Sequence, residues 1–289
     1  IVRRLIDRAA GGTISANDGL MQVVERRSSY WVNRQPEGKI RLYYECLREF
    51  FLFQTTTNTL NDFPSVPQDL WDLYVKKIYE VDSQYRRFLE LYERIGDASV
   101  LEPLLSSMES QYVNGFLQSL SEAWGDGLKS LTDLSQDTIP RQSDFFERAI
   151  SKYLIEDKIV FVIVSDALRF EVGVELSQLL ETENRVQVSI EAYQSAVPTY
   201  TQLGMTALLP HGTISVDPDT LLVSNAGKTI QGVNGRDALL REHFGAANKG
   251  KKARAFHAKE FIEMTAAQQE EEIHGYDCVY LFSNHIDAV

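Results

Sequence analysis

The sequence has few of the residues that crosslink a protein or build thiolate metal sites. Its 289 residues include only two cysteines, Cys46 and Cys278, which lie far apart in the chain. Two distant cysteines argue against a disulfide framework and favour a reducing compartment, so we expect a cytoplasmic protein. No Cys-x-x-Cys pair occurs. A metal ion would therefore need carboxylate, imidazole or hydroxyl ligands.

Long hydrophobic runs and an excess of positive charge are also missing. No apolar run approaches the roughly 18 residues that a membrane-spanning helix needs, so we expect no membrane association. Lys and Arg number 29 against 41 Asp and Glu, which gives a formal net charge of −12. That balance excludes a protein that coats nucleic acid by bulk charge alone. Hydrophobic residues make up 44% of the chain, which is typical of a folded protein rather than a disordered one.

The first part of the chain, residues 1–157, is predicted to be helical. Apolar residues recur there at spacings of three and four, as in Leu42, Cys46 and Phe50, the period of an α-helix with one buried face. The segment contains no recognisable chemical motif. We interpret it as an all-α N-terminal domain that binds partners.

The pattern changes at residue 158, where strands and helices begin to alternate. Ile159 to Val164 is a continuous β-branched and aromatic run, typical of a parallel strand covered on both faces. Alternation of this kind indicates an α/β domain over residues 158–289. Further strands are predicted over Val186–Ala192, near Leu221–Ser224 and over Cys278–Phe282, with helices over Leu168–Glu181 and Gln202–Leu209 and near Asp237 and Lys259.

Polar side chains follow three of these predicted strands. Open α/β sheets bind their ligands beyond the carboxyl ends of the strands, so we expect these side chains to share one rim. Asp166 and Asp287 bring carboxylates to the rim, and Thr201 brings a hydroxyl. Asn284 and His285 lie beside Asp287 and are candidates for contact with phosphate or metal, or for helix capping.

The hydroxyl of Thr201 is a poor nucleophile at neutral pH unless a metal ion contacts it directly. Thr201 also lies at a predicted helix start, where the free N–H groups of Gln202 and its neighbours can bind a phosphate oxygen. Together these features suggest phosphoryl transfer through a phosphothreonine. A plainer interpretation also stands at this point: Asp166 caps the following helix, and the threonines belong to a capping turn.

Three separate segments resemble the motifs of the PglZ domain family, in the form found in type A BREX phage-defence systems. Val164–Glu171 resembles the first motif, Val197–His211 the second and Asn284–Asp287 the third. Their order and spacing also agree with the family, and Gln142–Phe146 fits the segment before the first strand. The resemblance covers most of residues 140–289.

The resemblance implies membership of the alkaline phosphatase superfamily, with two divalent metal ions, zinc by analogy, and a hydroxyl nucleophile. By motif, Asp166 matches the first metal ligand and Asp287 the first ligand of the other metal. Thr201 matches the nucleophile, which also contacts metal, and Thr199 competes with it if the register shifts by two residues. The expected fold is an incomplete alkaline-phosphatase-like sheet sandwiched by helices and preceded by the all-α domain.

The function implied is a metal-dependent phosphatase or phosphodiesterase, or a nuclease, within a BREX-type anti-phage system. Its expected partners are other BREX components, and DNA or a nucleotide phosphodiester is a candidate substrate. The alternative is a non-catalytic scaffold subunit that docks partners through the helical domain. Because the chain starts at Ile1 and stops soon after Asp287, we expect a fragment that lacks later metal ligands, has an incomplete second metal site and is inactive alone.

Overall fold

A computed structural model describes residues 1–29, 32, 38–60, 62–96, 98–129, 139–247 and 250–287, without the side chains of 246 and 247. They form two compact units. The first comprises the described residues of Ile1–Gln136 with Phe170–Thr182, and the second those of Asp137–Arg169 with Glu183–Val289. None of the helices in these ranges is both long enough and apolar enough to cross a membrane.

The described residues of the first unit form helices and loops and no strand, as the periodicity predicts. Short π-helical segments (Tyr74–Ile78 and Gln111–Leu117) and a 3-10 turn (Ser99–Leu101) join several of its α-helices. The α-helices are α1 (Val2–Ala10), α2 (Ala16–Arg27), α3 (Lys39–Asn58), α4 (Pro67–Leu73), α5 (Tyr79–Ile95), α6 (Glu102–Ser110), α7 (Gln118–Lys129) and, from later in the chain, α9 (Phe170–Glu181).

Aromatic residues of α3 form the centre of the first unit. Phe50, Phe51 and Phe53 are all fully buried. Helix α2 packs close to them because Gly19 has no side chain: a Cβ at that position would lie 2.3 Å from Cζ of Phe51. Within this core Asp82 is 8% exposed and accepts hydrogen bonds from two tyrosine hydroxyls, which satisfies its carboxylate.

The second unit contains a three-stranded parallel sheet and a small antiparallel sheet. The strands of the main sheet lie in the order β1-β6-β5, and Ser165 at the end of β1 lies opposite Ser283 at the end of β6. The elements are α8 (Ser151–Ile155), β1 (Val160–Ser165), α10 (Thr201–Ala207), β2 (Ile214–Val216), β3 (Val223–Asn225), β4 (Lys228–Thr229), α11 (Gly232–Ala247), β5 (Ala253–His257), α12 (Ala258–Glu263), α13 (Ala266–Ile273) and β6 (Cys278–Ser283).

Helices cover both faces of the main sheet at its central strand, β6. On one face Tyr280 of β6 packs in a core with Leu240 of α11, and on the other Leu281 packs in a core with Phe261 of α12. The predicted sandwich of helices around an incomplete sheet is therefore confirmed. Strand β1 lies at an edge of the described sheet, and its Phe161 and Ile163 are 48% and 71% exposed. The prediction that this run is covered on both faces is therefore wrong, because only one face of β1 packs in a core.

Two details of the predicted strand pattern are wrong. Residues 186–192 form no strand; the nearest pairing is a single bridge between Arg141 and Gln194. Ile190 in that segment is half-exposed, so no neighbouring strand and no core hold it extended. The predicted strand near Leu221–Ser224 exists as β3, but it pairs antiparallel with β2 and β4 rather than joining the parallel sheet.

Candidate active site

The parallel pairing of β1 with β6 positions Asp166 beside the start of the last motif. The Asp166 N–H donates to the carbonyl of Ser283 at 2.8 Å, so the chain continues the strand pairing by one residue beyond β1. Asn284 follows the carboxyl end of β6, on the same side of the sheet as Asp166 at the end of β1. The common rim predicted for the first and third motifs therefore exists at the backbone level.

The carboxylate of Asp166 is only half satisfied. Its Oδ1 accepts the N–H of Ala167 at 3.1 Å, while Oδ2 is buried and has no hydrogen-bond partner. Ala167 has a φ of +59°, a left-handed conformation that turns the chain sharply just after the carboxylate. An acceptor atom left buried without a donor is costly, and a cation is one kind of ligand that would satisfy it.

Thr201 begins helix α10, as the sequence predicts, and that helix is held firmly in the second unit. Leu203 and Met205 of α10 are buried. At the end of the helix, the Leu208 carbonyl accepts the hydroxyl of Tyr280 from β6 at 3.0 Å. The helix that carries Thr201 is thus anchored to the central strand of the sheet.

Asp166 and Thr201 line the same cavity, which has a volume of about 490 Å³. Thr199 lines it too, so the cavity does not by itself distinguish the two threonines. The remaining lining comes from the end of β1 and the turn after it, the segment before α10, α10 with the residue after it, and Gln142: Gln142, Val164, Ser165, Ala167, Leu168, Ser195, Ala196, Tyr200, Gly204, Met205 and Leu208.

The other predicted site residues lie outside this lining. Asn284, His285 and Asp287 are exposed in the turn after β6, and the structure does not place Asp287 in the cavity with Asp166. Gln202 is also outside the lining; its side-chain Oε1 accepts a hydrogen bond from Arg236 at 3.3 Å. The roles assigned to these four residues remain predictions.

Arg236 of α11 is a buried cation that the sequence analysis missed. It is 4% exposed, and its guanidinium lies over the ring of Phe282 at 4.9 Å. Burial lowers its pKa, and the negative charge of Asp166 opposes that shift. The signal was present in the sequence: Arg236 lies three residues after Val233 and four before Leu240, both buried, so helical periodicity places it on the apolar face.

The side chains around the cavity fit a divalent metal site only in part. Asp166 fits as one ligand, because its Oδ2 is buried without a hydrogen bond, and the Thr201 side chain lines the same cavity. Within the described ranges, however, no group of three or more His, Cys, Asp and Glu side chains is positioned to hold a metal ion. The described residues therefore supply part of such a site.

Comparison with known proteins agrees with the motifs. The family model described as the BREX system PglZ alkaline phosphatase-like domain matches residues 145–289. The chain is 31% identical over 274 residues to the alkaline phosphatase-like protein BrxZ of Escherichia coli O9:H4 (strain HS). It is 28% identical over 268 residues to the alkaline phosphatase-like protein PglZ of Bacillus cereus (strain H3081.97).

These two alignments cover 91% and 92% of this chain, so they include most of the helical first part. The chain spans 30% of the length of each of these relatives. With a family match over half of the chain and three motifs in order, the assignment is clear. The chain belongs to the PglZ family of BREX alkaline phosphatase-like proteins.

Proposed function

We propose that this chain contributes part of the active site of a metal-dependent phosphoric ester hydrolase, with Thr201 as its nucleophile. The observation that supports it most is the shared cavity of Asp166 and Thr201, in which a carboxylate oxygen is buried without a hydrogen bond. Its volume of about 490 Å³ suits a phosphorylated small molecule or one nucleotide unit of a longer chain.

In the proposed reaction the Thr201 oxygen attacks the phosphorus atom of the ester. The bond between phosphorus and the ester oxygen breaks, the departing alcohol takes a proton from water, and the threonine proton passes to solvent. The product is a phosphothreonine, which keeps the second ester group when the substrate is a diester. Water then attacks the phosphorus of this intermediate and the bond between phosphorus and the Thr201 oxygen breaks, which releases phosphate from a monoester or a phosphate monoester from a diester and returns a proton to Thr201.

Two divalent cations, zinc by family analogy, are part of the proposal. When bound, such a cation supplies positive charge that lowers the pKa of a contacting hydroxyl. Asp166 would hold the first together with Thr201. Asp287 would be the first ligand of the second, whose remaining ligands this chain does not provide.

The remaining site residues are assigned to substrate binding and positioning. Gln202, Asn284 and His285 would contact the phosphoryl oxygens, Gln202 through its backbone N–H. Arg236 is a positioning residue in this proposal: it donates a hydrogen bond to the side chain of Gln202, which immediately follows the nucleophile, and the charge of Asp166 favours its protonated form.

The proposal is tested by substituting Thr201 with Ala in a protein of the relatives' full length that carries this segment. Hydrolysis of a nitrophenyl phosphodiester should fall by about a thousandfold or more, because the attacking oxygen is removed. The matched control is Thr199→Ala, which changes the neighbouring threonine of the same cavity and should retain activity. Unchanged hydrolysis in Thr201→Ala would refute the nucleophile assignment, and loss only in Thr199→Ala would move it by two residues.

The alternative is a scaffold subunit that supports the other BREX components without catalysis. The two are distinguished in cells by phage resistance. The hydrolase proposal predicts that Thr201→Ala abolishes resistance while the protein remains folded and abundant. Full resistance in that variant would favour the scaffold.

A further inference from the structure

The first unit contains a polar cleft that the phosphatase proposal does not use. It lies among α3, α5 and α9 and has a volume of about 200 Å³. Glu49, Ser83, Gln84 and Glu171 bring polar groups to it, and Leu52 and Val174 bring apolar ones. We call it the Glu49 cleft, after its most buried residue on α3.

Two acceptor atoms of this cleft are buried without a partner. Glu49 is 3% exposed; its Oε1 accepts from Arg48 at 2.6 Å, but its Oε2 has no hydrogen bond. Gln84 is 9% exposed; its amide nitrogen donates to Thr56 at 3.0 Å, but its Oε1 has no hydrogen bond. Buried acceptors are normally satisfied, so two in one cleft indicate a ligand that donates hydrogen bonds.

The charges around the cleft point to a cationic donor. Four carboxylates line it, those of Glu49, Glu80, Glu171 and Glu175, together with the cation Arg87. Two arginines outside the lining also contact these carboxylates: Arg48 pairs with Glu49, and Arg86 pairs with Glu171 and Glu175. The four carboxylates still outnumber these three arginines. Arg87 is engaged by Glu175 at 3.3 Å. Burial raises the pKa of Glu49 by more than the charges of Arg48 and Arg87 lower it, so the negative charge of this carboxylate is only partly compensated.

We propose that the Glu49 cleft binds a small alkylammonium ion, with the ammonium group donating to Oε2 of Glu49 and Oε1 of Gln84. An ammonium carries three N–H donors and no acceptor, which matches two orphaned acceptors and the nearby Ser83 hydroxyl. Its alkyl stem would lie against Leu52 and Val174. A metal ion is a poorer match, since one carboxylate and one amide oxygen do not make a cation site in the described residues.

The proposal is tested by calorimetric titration of the chain with n-butylammonium chloride. Saturable binding at one site is expected. Tetramethylammonium carries the same charge without an N–H donor and should bind about tenfold more weakly or worse. The Glu49→Gln variant should lose about tenfold or more in butylammonium affinity. The matched control is Glu45→Gln, one turn earlier on α3, where the carboxylate pairs with Arg27 and Arg41; its affinity should match the wild type.

Three results would overturn the proposal. Equal binding of the two cations, or equal binding by Glu49→Gln, would show only general attraction to an acidic protein. The absence of saturable binding would show that water alone fills the cleft. If Glu49→Gln does not fold, Gln84→Met serves in its place, because it removes the second acceptor, and butylammonium should then raise the melting temperature of the wild type but not of that variant.

Discussion

Replacing Tyr280 with Phe tests how helix α10, and Thr201 with it, is held on the sheet. Tyr280 is fully buried, and its hydroxyl donates to the Leu208 carbonyl just after α10 at 3.0 Å. The substitution removes one hydrogen bond and leaves a carbonyl without its donor, which costs about 1–3 kcal/mol. Burial raises the pKa of Tyr280 well above its usual value. The phenol therefore stays protonated, and the loss should be the same from mildly acidic to mildly alkaline pH.

The assay is hydrogen exchange of the backbone amides of α10, combined with urea unfolding. The Gly204 and Leu209 amides, bonded to Tyr200 and Thr206 carbonyls, should exchange about 5- to 150-fold faster in Tyr280→Phe. The control is Tyr200→Phe, which removes an exposed hydrogen bond to the Leu221 carbonyl at 3.0 Å and should cost about 0.5 kcal/mol. Equal exchange rates in wild type and Tyr280→Phe, or equal losses in the two variants, would refute the anchoring role.

Three further predictions concern packing, charge and the sheet edge. Gly19→Ala should lower the free energy of unfolding by about 1–3 kcal/mol, because its Cβ would overlap Phe51. The control is Gly173→Ala, which has open space around it and should leave the free energy of unfolding unchanged or raise it by up to about 1 kcal/mol. Thermal melts of the two variants and the wild type measure both effects. Folding raises the pKa of Glu49, so the folded state binds more protons and Glu49 costs stability once pH exceeds its unfolded pKa. Glu49→Gln should therefore raise the free energy of unfolding at neutral pH but not in acid, as measured by urea unfolding at both pH values. A variant that is less stable than the wild type at neutral pH, or equally stable at both pH values, would contradict this prediction. Because β1 is an exposed edge of the described sheet, we expect the chain to self-associate through it. Ile163→Lys should then reduce this association in sedimentation with little change in stability, and association as strong as that of the wild type would exclude this edge.

Local patterns in the sequence predicted the local structure well. The β-branched run before Asp166 is strand β1, and Thr201 begins a helix. The predictions that failed concern strands whose formation depends on partners distant in the chain. The alternating residues 186–192 have a strand-like pattern, yet without a partner strand they form none. Strand β5 went unpredicted because its five residues follow a short basic stretch that has the composition of a loop.

The candidate site shows the same division between local and distant information. The sequence motifs predicted Asp166 and Thr201, and the structure brings both to one cavity. Arg236 was missed because charged residues are normally exposed, and only its spacing from Val233 and Leu240 indicated burial. The sequence also did not predict that helix α9 packs in the first unit. Its apolar pattern predicts a helix but does not indicate which surface covers that helix.

The covalent intermediate tests the central claim most directly. A protein of the relatives' full length that carries this segment would be mixed with a phosphate ester, quenched in acid and digested for mass spectrometry. The account predicts one phosphoryl group on Thr201, absent from Thr201→Ala and present in Thr199→Ala. Turnover without any phosphorylated residue, or a phosphoryl group on another side chain, would contradict it.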